Sequence, residues 1–356
     1  MKFNPDITKQ AIEVIFSCKT TTKPDHPPIS FNNIPVSRES SANHLGIILD
    51  EKLKFRKHVD EKVKTANKGL GILRYLKKYA NRKVLDKMYK MYVRPHLEYG
   101  DVVFHGQTKE SCDRIESVQY RAALIVSGCW KGTNRIKLYN ELGWESMYQR
   151  RHIRRLCLYY RIVNGLTPSY LNECIKEIPA DSTNRYFMSF FPYCKAYWEN
   201  LSLDIKLSPN INIFKKKLYN ISRPIAKLVP NCDDKKNVSA LTRLRVGHSD
   251  LRDDRLRHSF NCVSSLCTCN NIDHETAQHF LLKCSKYNSL RISLFTKLLI
   301  LTNFSIIGKS DDFWTDLLLY GNNNFSKNIN MRILDLTVDF IKSTKRFVKI
   351  EAYSNS

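Results

Sequence analysis

The chain has 356 residues, with 58 Lys and Arg against 34 Asp and Glu, a formal net charge of +24 and a pI near 9.6. A chain of this length can bury a sizeable core in two or three units. Its charge excess is unfavourable unless a polyanion relieves it, which points first to nucleic acid and second to an anionic membrane surface. The eleven cysteines are an odd number, and the opening MKFNPDITKQ carries no apolar secretory core. Thiols or metal ligands in a reducing compartment therefore fit better than a disulfide framework. Leu294–Ile307, the most apolar late window, is short and contains Lys297 and Asn303, so no membrane span is expected.

In chain order, Ala11–Ser17 reads as a strand and the prolines of TKPDHPP mark a loop. ISFNNIPV reads as a hairpin turning at Asn32-Asn33, and HLGIILD (His44–Asp50) adds a short apolar run. These strands are too few for a sheet of their own. A long basic segment without proline follows, up to Arg94. Its apolar positions Val59, Val63, Ala66, Leu70 and Leu73 step by four and three, as one face of a helix does. Lys62, Lys68, Arg74 and Lys77 of this segment are candidate phosphate contacts.

A second amphipathic pattern runs from Asn81 through Leu85, Met88, Tyr89 and Tyr92, with Pro95 as its stop. SCDRIESVQYRAALIVSG predicts a third helix, with Ile115, Val118, Ala122 and Ile125 on one face and Gly128 at its end. Gln119 on that helix is either a solvated position or a functional contact. Tyr139–Pro168 is a fourth helical stretch. There Arg150, Arg151, Arg154 and Arg155 are close neighbours, with no acid between Met147 and Val163. Such crowding destabilises a bare helix and becomes favourable beside phosphates; the alternative is pairing with acids elsewhere in the fold. From Asn164 to Asn237 only a helix near Ile213–Tyr219 is derivable, with NCDDKKN as a linker.

Cys267, Cys269, His279 and Cys284 form a Cys-x-Cys, His, Cys set that suits a closed, structural tetrahedral Zn2+ site. Residues two apart on an extended segment share a face, so both early cysteines can point at one ion. Asp273 is a candidate cap for a helix starting at His274 that carries His279. Positions five apart do not share a helix face, which puts Cys284 at or past the helix end. Cys262 and His274 remain alternative ligands. Lys283, Lys286 and Arg291 would be presented to nucleic acid. The pairs Asp233-Asp234, Asp253-Asp254 and Asp311-Asp312 lie in polar or helix-like contexts without an aromatic two residues before. They do not match the turn in which a polymerase holds two divalent cations.

Several of these residues carry a resemblance. Leu45, Gly46, Asp50, Leu53, Phe55, His58, Leu70, Gly71 and Leu73 follow, in order and spacing, a pattern of jockey-like non-LTR (LINE-type) retrotransposon reverse transcriptases. VRPHLEYGDVVF also resembles that family, with Phe104 where relatives usually have Trp. So do Ile115-Glu116 with Gln119 and Arg121, and FFPYCKAYWENLSL, where Glu199-Asn200 follows Trp198. The run Arg243-Leu244-Arg245, Gly247-His248-Ser249, Cys267, Cys269, Glu275-Thr276, His279 and Cys284 completes the similarity.

The resemblance implies a mainly α fold: a small β remnant of a palm (1–50), a helical thumb-like domain (51–168), a connector (169–237), a zinc-knuckle region (238–292) and a C-terminal helical segment (293–356). It implies that Leu45, Gly46 and Asp50 belong to a primer-grip-like hairpin, although an ordinary buried strand reads equally well. It further implies RNA and DNA partners, template–primer or target site. The Mg2+-binding carboxylates of the intact polymerase, and an endonuclease, would lie before Met1, leaving this portion inactive alone. The rival readings are a degenerate helical protein-interaction module and a non-functional pseudogene product.

Overall fold

The computed structural model describes residues 11–17, 27–31, 34–104, 108–175, 186, 188–222, 224, 226–302 and 308–347 and is mainly helical. Its strands are β1 (Ile12–Glu13), β2 (Ser30–Phe31), β3 (Ile34–Pro35), β4 (Ser37–Arg38), β5 (Ser41–His44) and β6 (Ile47–Asp50). They pair only two by two: β1 with β4 in parallel, β2 with β3 and β5 with β6 antiparallel. The Asn32-Asn33 turn lies outside the described residues. The helices are α1 (Arg56–Leu76), α2 (Arg82–Met88), α3 (Arg94–Glu98), α4 (Lys109–Ser127), α5 (Arg135–Leu142), α6 (Met147–Val163), α7 (Ser169–Glu173), α8 (Phe190–Glu199), α9 (Leu203–Lys206), α10 (Ile211–Ser222), α11 (Lys235–Val246), α12 (Arg252–Arg257), α13 (Asn288–Thr302), α14 (Asp311–Tyr320) and α15 (Lys327–Thr344). Two compact units result, each drawn from separated stretches: Met1–Ile72, Tyr89–Gln119 and Ser146–Ser222, and Leu73–Met88, Tyr120–Glu145 and Arg223–Ser356.

In the first unit, HLGIILD is no single run. Leu45 and Gly46 both take positive φ (49° and 78°) and close β5 onto β6 with His44 opposite Ile47. Two such residues make the tight turn whose twist matches paired strands. Tyr99 pins this tip, its hydroxyl donating to the Leu45 carbonyl at 2.6 Å. Asp50 then directs the chain into α1: its carboxylate accepts the amides of Lys52, Lys54 and Phe55. His58 Nδ1 accepts from the Ile48 amide at 3.3 Å, and the rings of Phe55 and His58 pack on Phe104. Val59, Val63, Ala66 and Leu70 are buried, as their spacing predicts.

The helical path runs on where Pro95 was expected to stop it. A π-turn at Tyr89–Val93 joins α2 to α3, which holds Pro95 in its first turn, where proline's missing N–H is tolerated. Gln119 is 1% exposed and its Oε1 accepts from the Tyr89 hydroxyl at 2.6 Å, so it is not a solvated position. Glu116 accepts the Met147 amide at the start of α6. The stretch expected as one helix over Tyr139–Pro168 is broken by Gly143, at φ 66°, and restarts at the Ser146 cap. Ile153, Leu156 and Tyr160 of α6 pack with Ile205, Phe214 and Leu218, so 190–222 are helices of this core.

The second unit is built on a larger apolar cluster that includes Leu241, Leu244, Leu294, Leu298, Leu317, Leu334, Val338 and Phe340. NCDDKKN is ordered within it, where a linker was expected: Asp234 caps α11, and Asp335 accepts the amides of Asn231 and Cys232. Glu141 sits buried between Arg82 (2.8 Å) and Arg245 (3.0 Å), and Arg245 also donates to the Leu228 and Leu319 carbonyls. Removing one member of such a buried set strands its partners' charge, at about 3–5 kcal/mol.

Two glycines test this account. Gly100 has φ +69° and a Cβ there would lie 2.8 Å from Ile47 Cδ1, whereas one on Gly71, inside α1, meets nothing within 4 Å. Gly100→Ala is expected to destabilise by about 1–3 kcal/mol. Gly71→Ala is expected to stabilise by about 0.5–1 kcal/mol through helix propensity. Urea melts of the two variants check this, and the opposite order would refute it.

Candidate metal centre and basic surfaces

The centre is assembled by two short pieces of the second unit. Leu266 and His274 form an isolated antiparallel bridge. Inside it the Cys267 amide donates to the Asp273 carbonyl (2.7 Å) and the Asn271 amide to the Cys267 carbonyl (2.9 Å). Asn271 takes φ 55° to close this loop. The helical turn bearing His279 does not begin at His274 under an Asp273 cap. His274 is held in the bridge with its Nδ1 2.6 Å from Ser265 Oγ, and Thr276 Oγ1 accepts the His279 amide instead. His279–Lys283 is a π-turn, and the Cys284 amide donates to the His279 carbonyl at 2.7 Å. That wider turn is how residues five apart reach one point.

The four ligand atoms of Cys267, Cys269, His279 and Cys284 all lie within 4.8 Å of one another. Cys267 and Cys284 sulfurs are 3.7 Å apart, and Cys269 Sγ is 3.3 Å from His279 Nε2. Tetrahedral Zn2+ with Zn–S near 2.3 Å and Zn–N near 2.0 Å separates its ligands by about 3.8 Å and about 3.5 Å respectively. The donor set can therefore hold a metal ion and fits zinc. Cys262 is turned elsewhere, its thiol donating to the Ser264 carbonyl.

Electrostatics agree with this. Burial pushes the Cys267 thiol up to about 12 and raises Cys284 as well, so these sulfurs ionise when a cation takes the proton's place. Burial lowers His279, which keeps the imidazole in its neutral, ligating form. Backbone amides of Cys269, Ser285 and Lys286 hydrogen-bond the sulfurs of Cys267, Cys269 and Cys284, each favouring thiolate. Asp273 Oδ2 lies 3.7 Å from His279 Nδ1, beyond hydrogen-bond distance, and leaves that buried nitrogen without a hydrogen-bond partner among the described residues.

Of the cations expected around the centre, Lys283 and Lys286 are exposed, the first beside Asp311 (2.7 Å) and the second on Thr268. Arg291 is buried: its guanidinium donates to the Leu281 carbonyl (2.9 Å) and the Cys284 carbonyl (2.6 Å) and fastens the π-turn.

The arginines of α6 also differ from expectation. Arg150 pairs with Glu98, and Arg154 with Glu98 (3.3 Å) and Asp101 (3.2 Å). Arg151 and Arg155 are buried, Arg151 donating to the Met147 carbonyl and Arg155 lying over the Tyr193 ring at 5.2 Å. The acids that neutralise the row lie some fifty residues earlier, in VRPHLEYGDVVF. Burial pushes Asp101 up to about 6, with Arg154 pulling the other way. On α1, Lys62 lies over the Tyr99 ring at 4.2 Å, while Lys68, Arg74 and, just past its end, Lys77 are exposed and make no ion pair among the described residues. Leu45 is 79% exposed at the hairpin tip beside Gly46, and Asp50 is engaged by backbone amides. Asp234, Asp253-Asp254 and Asp311-Asp312 all sit at helix starts.

No family model and no solved structure matches the chain. Among curated proteins of Drosophila melanogaster it is similar to the "Probable RNA-directed DNA polymerase from transposon X-element", 27% identical over 116 residues, which is 32% of this chain and 13% of that protein. It is also similar to the "Probable RNA-directed DNA polymerase from transposon BS", 26% identical over 160 residues, 44% of this chain and 17% of that protein. The chain thus has reverse-transcriptase-like relatives and spans less than a fifth of their length. Among the described residues, no helix is long and apolar enough to cross a membrane.

The centre is tested by metal content. Native mass spectrometry is expected to find one Zn2+ per chain, lost in Cys284→Ser and retained in Cys262→Ser. Loss of the ion should lower stability by about 4 kcal/mol when free zinc is ~1,000-fold above its dissociation constant. Equal metal content in the two variants would sink the ligand assignment.

Proposed function

We propose that the protein is a portion of a jockey-like non-LTR retrotransposon reverse transcriptase that binds template–primer or target RNA and DNA without performing the polymerisation. In this reading 1–50 belong to a palm, with a primer-grip-like tip at Leu45 and Gly46, and 51–168 form a thumb-like domain. Residues 169–237 connect it to a zinc knuckle in 238–292, and 293–356 support the knuckle. Zn2+ held by Cys267, Cys269, His279 and Cys284 has all four positions filled by protein and so acts structurally. Paired carboxylates binding Mg2+ would come from the remainder of the polymerase.

The observation that carries the reading is the uncompensated charge. The net charge is +24, and Lys68, Arg74 and Lys77 are exposed and form no ion pair among the described residues. Phosphates are the ligand class such cations fit. The internal neutralisation of Arg150 and Arg154 favours a second reading, in which α6 is structural and the protein binds an acidic partner protein.

Binding to labelled RNA and DNA is expected to weaken linearly in log affinity with log salt. The double variant Lys68→Glu/Arg74→Glu should reduce that slope by up to about 2 and weaken all sequences alike. Fluorescence anisotropy across a salt series measures both. Binding that is undetectable at low salt, or indifferent to salt, would overturn the proposal in favour of the second reading.

A further inference from the structure

The second unit carries a column of rings that the metal centre does not use. His248, buried just after α11, stacks on Phe260 with centroids 5.3 Å apart and planes 14° apart. Trp130 meets His248 edge-on at 5.5 Å, and His258 lies 4.1 Å from it. The inner end is fixed. Thr133 Oγ1 is 2.7 Å from His248 Nδ1, and the Arg243 guanidinium covers Trp130 at 4.2 Å while donating to the Gly128 carbonyl.

The outer end is open: Phe260 is 38% exposed and His258 is exposed, its Nε2 3.0 Å from the Gly247 carbonyl. The loop before α5 and the first turn of α5, which meet there, are cationic. Lys131, Arg135 and Lys137 are exposed and make no ion pair among the described residues. A Cβ on Gly247 would lie 3.6 Å from Lys137 Nζ, and one on Gly132 3.7 Å from His248 Cε1, which places both loops against the column. The acids of α12 are already engaged, since Arg257 holds Asp253 at 2.8 Å and Asp254 at 2.5 Å.

A fixed ring column with one open face offers a surface to another planar ring, and the unpaired cations beside it offer sites to anions. A nucleobase with its flanking phosphates supplies both. A duplex hides its base faces, whereas an unpaired strand exposes them. An acidic peptide would satisfy the cations and leave the rings unused. We propose that Phe260 and His258 form a stacking platform for an unpaired base of single-stranded RNA or DNA whose phosphates are held by Lys131, Arg135 and Lys137. This rests on the nucleic-acid reading above and locates the single-strand site within it.

The test uses the full chain and fluorescein-labelled oligo-U, oligo-dT and a DNA duplex, read by anisotropy. Phe260→Ala is expected to weaken single-strand binding about tenfold, as loss of one stacked base does, while leaving duplex binding and the salt slope unchanged. Phe260→Trp should restore the affinity, and Lys131→Glu/Arg135→Glu should lower the salt slope. Unchanged single-strand affinity in Phe260→Ala, with the wild-type chain still binding, overturns the platform and leaves the nucleic-acid reading standing. Parallel loss of single-strand and duplex binding with a lowered melting temperature makes Phe260 structural and also overturns it. Displacement of oligo-U by polyglutamate in preference to oligo-dT assigns the patch to an acidic protein. No binding of any nucleic acid by the wild-type chain removes both readings together.

Discussion

A buried guanidinium must find an acceptor, and in a chain with 24 more cations than acids that requirement organises the interior. Glu98 and Asp101 collect Arg150 and Arg154 in the first unit. In the second, Glu141 collects Arg82 and Arg245, and Glu275 takes Arg346 at 2.8 Å. Where no acid is at hand, main-chain carbonyls serve, as those of Leu281 and Cys284 do for Arg291. The arrangements built on carboxylates join stretches far apart in sequence, so these scarce acids act as the fold's fasteners. The cations left over are those on exposed helices and loops.

This division explains what could be read beforehand. The apolar period of α1 identified Val59, Val63, Ala66 and Leu70 as its buried face, because helix period and burial are local properties. The metal-ligand spacing was legible for a similar reason, since four donors of the right chemistry fall within twenty residues. The environment of the α6 arginines was not legible. Sequence shows the absence of acids within the helix and says nothing of Glu98 and Asp101 arriving from another one. Gln119 and Arg291 escaped likewise: each looks like a surface residue until its partner, the Tyr89 hydroxyl or a pair of carbonyls, is brought to it. Pro95 misled because the π-turn before it has no sequence signature as strong as proline's own.

The residues that carry the family resemblance prove to be largely structural. Leu45-Gly46 turns the hairpin, Asp50 directs the chain into α1, and His58 with Phe104 seals the junction. Arg245 ties a buried charge triad, and His248 anchors the ring column. Such positions hold a scaffold together, whereas the ligand contacts proposed above fall on exposed cations and an exposed phenylalanine that the fold itself does not require.

The π-turn between His279 and Cys284 has a further bearing on how this region can vary. Ordinary α winding over the same residues would carry Cys284 about 140° around the axis from His279, out of reach of the other three donors, whereas one residue fewer on α winding would leave the two ligands about 40° apart on one face. Exchanging Leu282 or Lys283, by contrast, alters no hydrogen bond that shapes the loop. Spacing and winding are therefore coupled at this point: ligands five residues apart require the π-turn, and ligands four apart would require an ordinary helical turn.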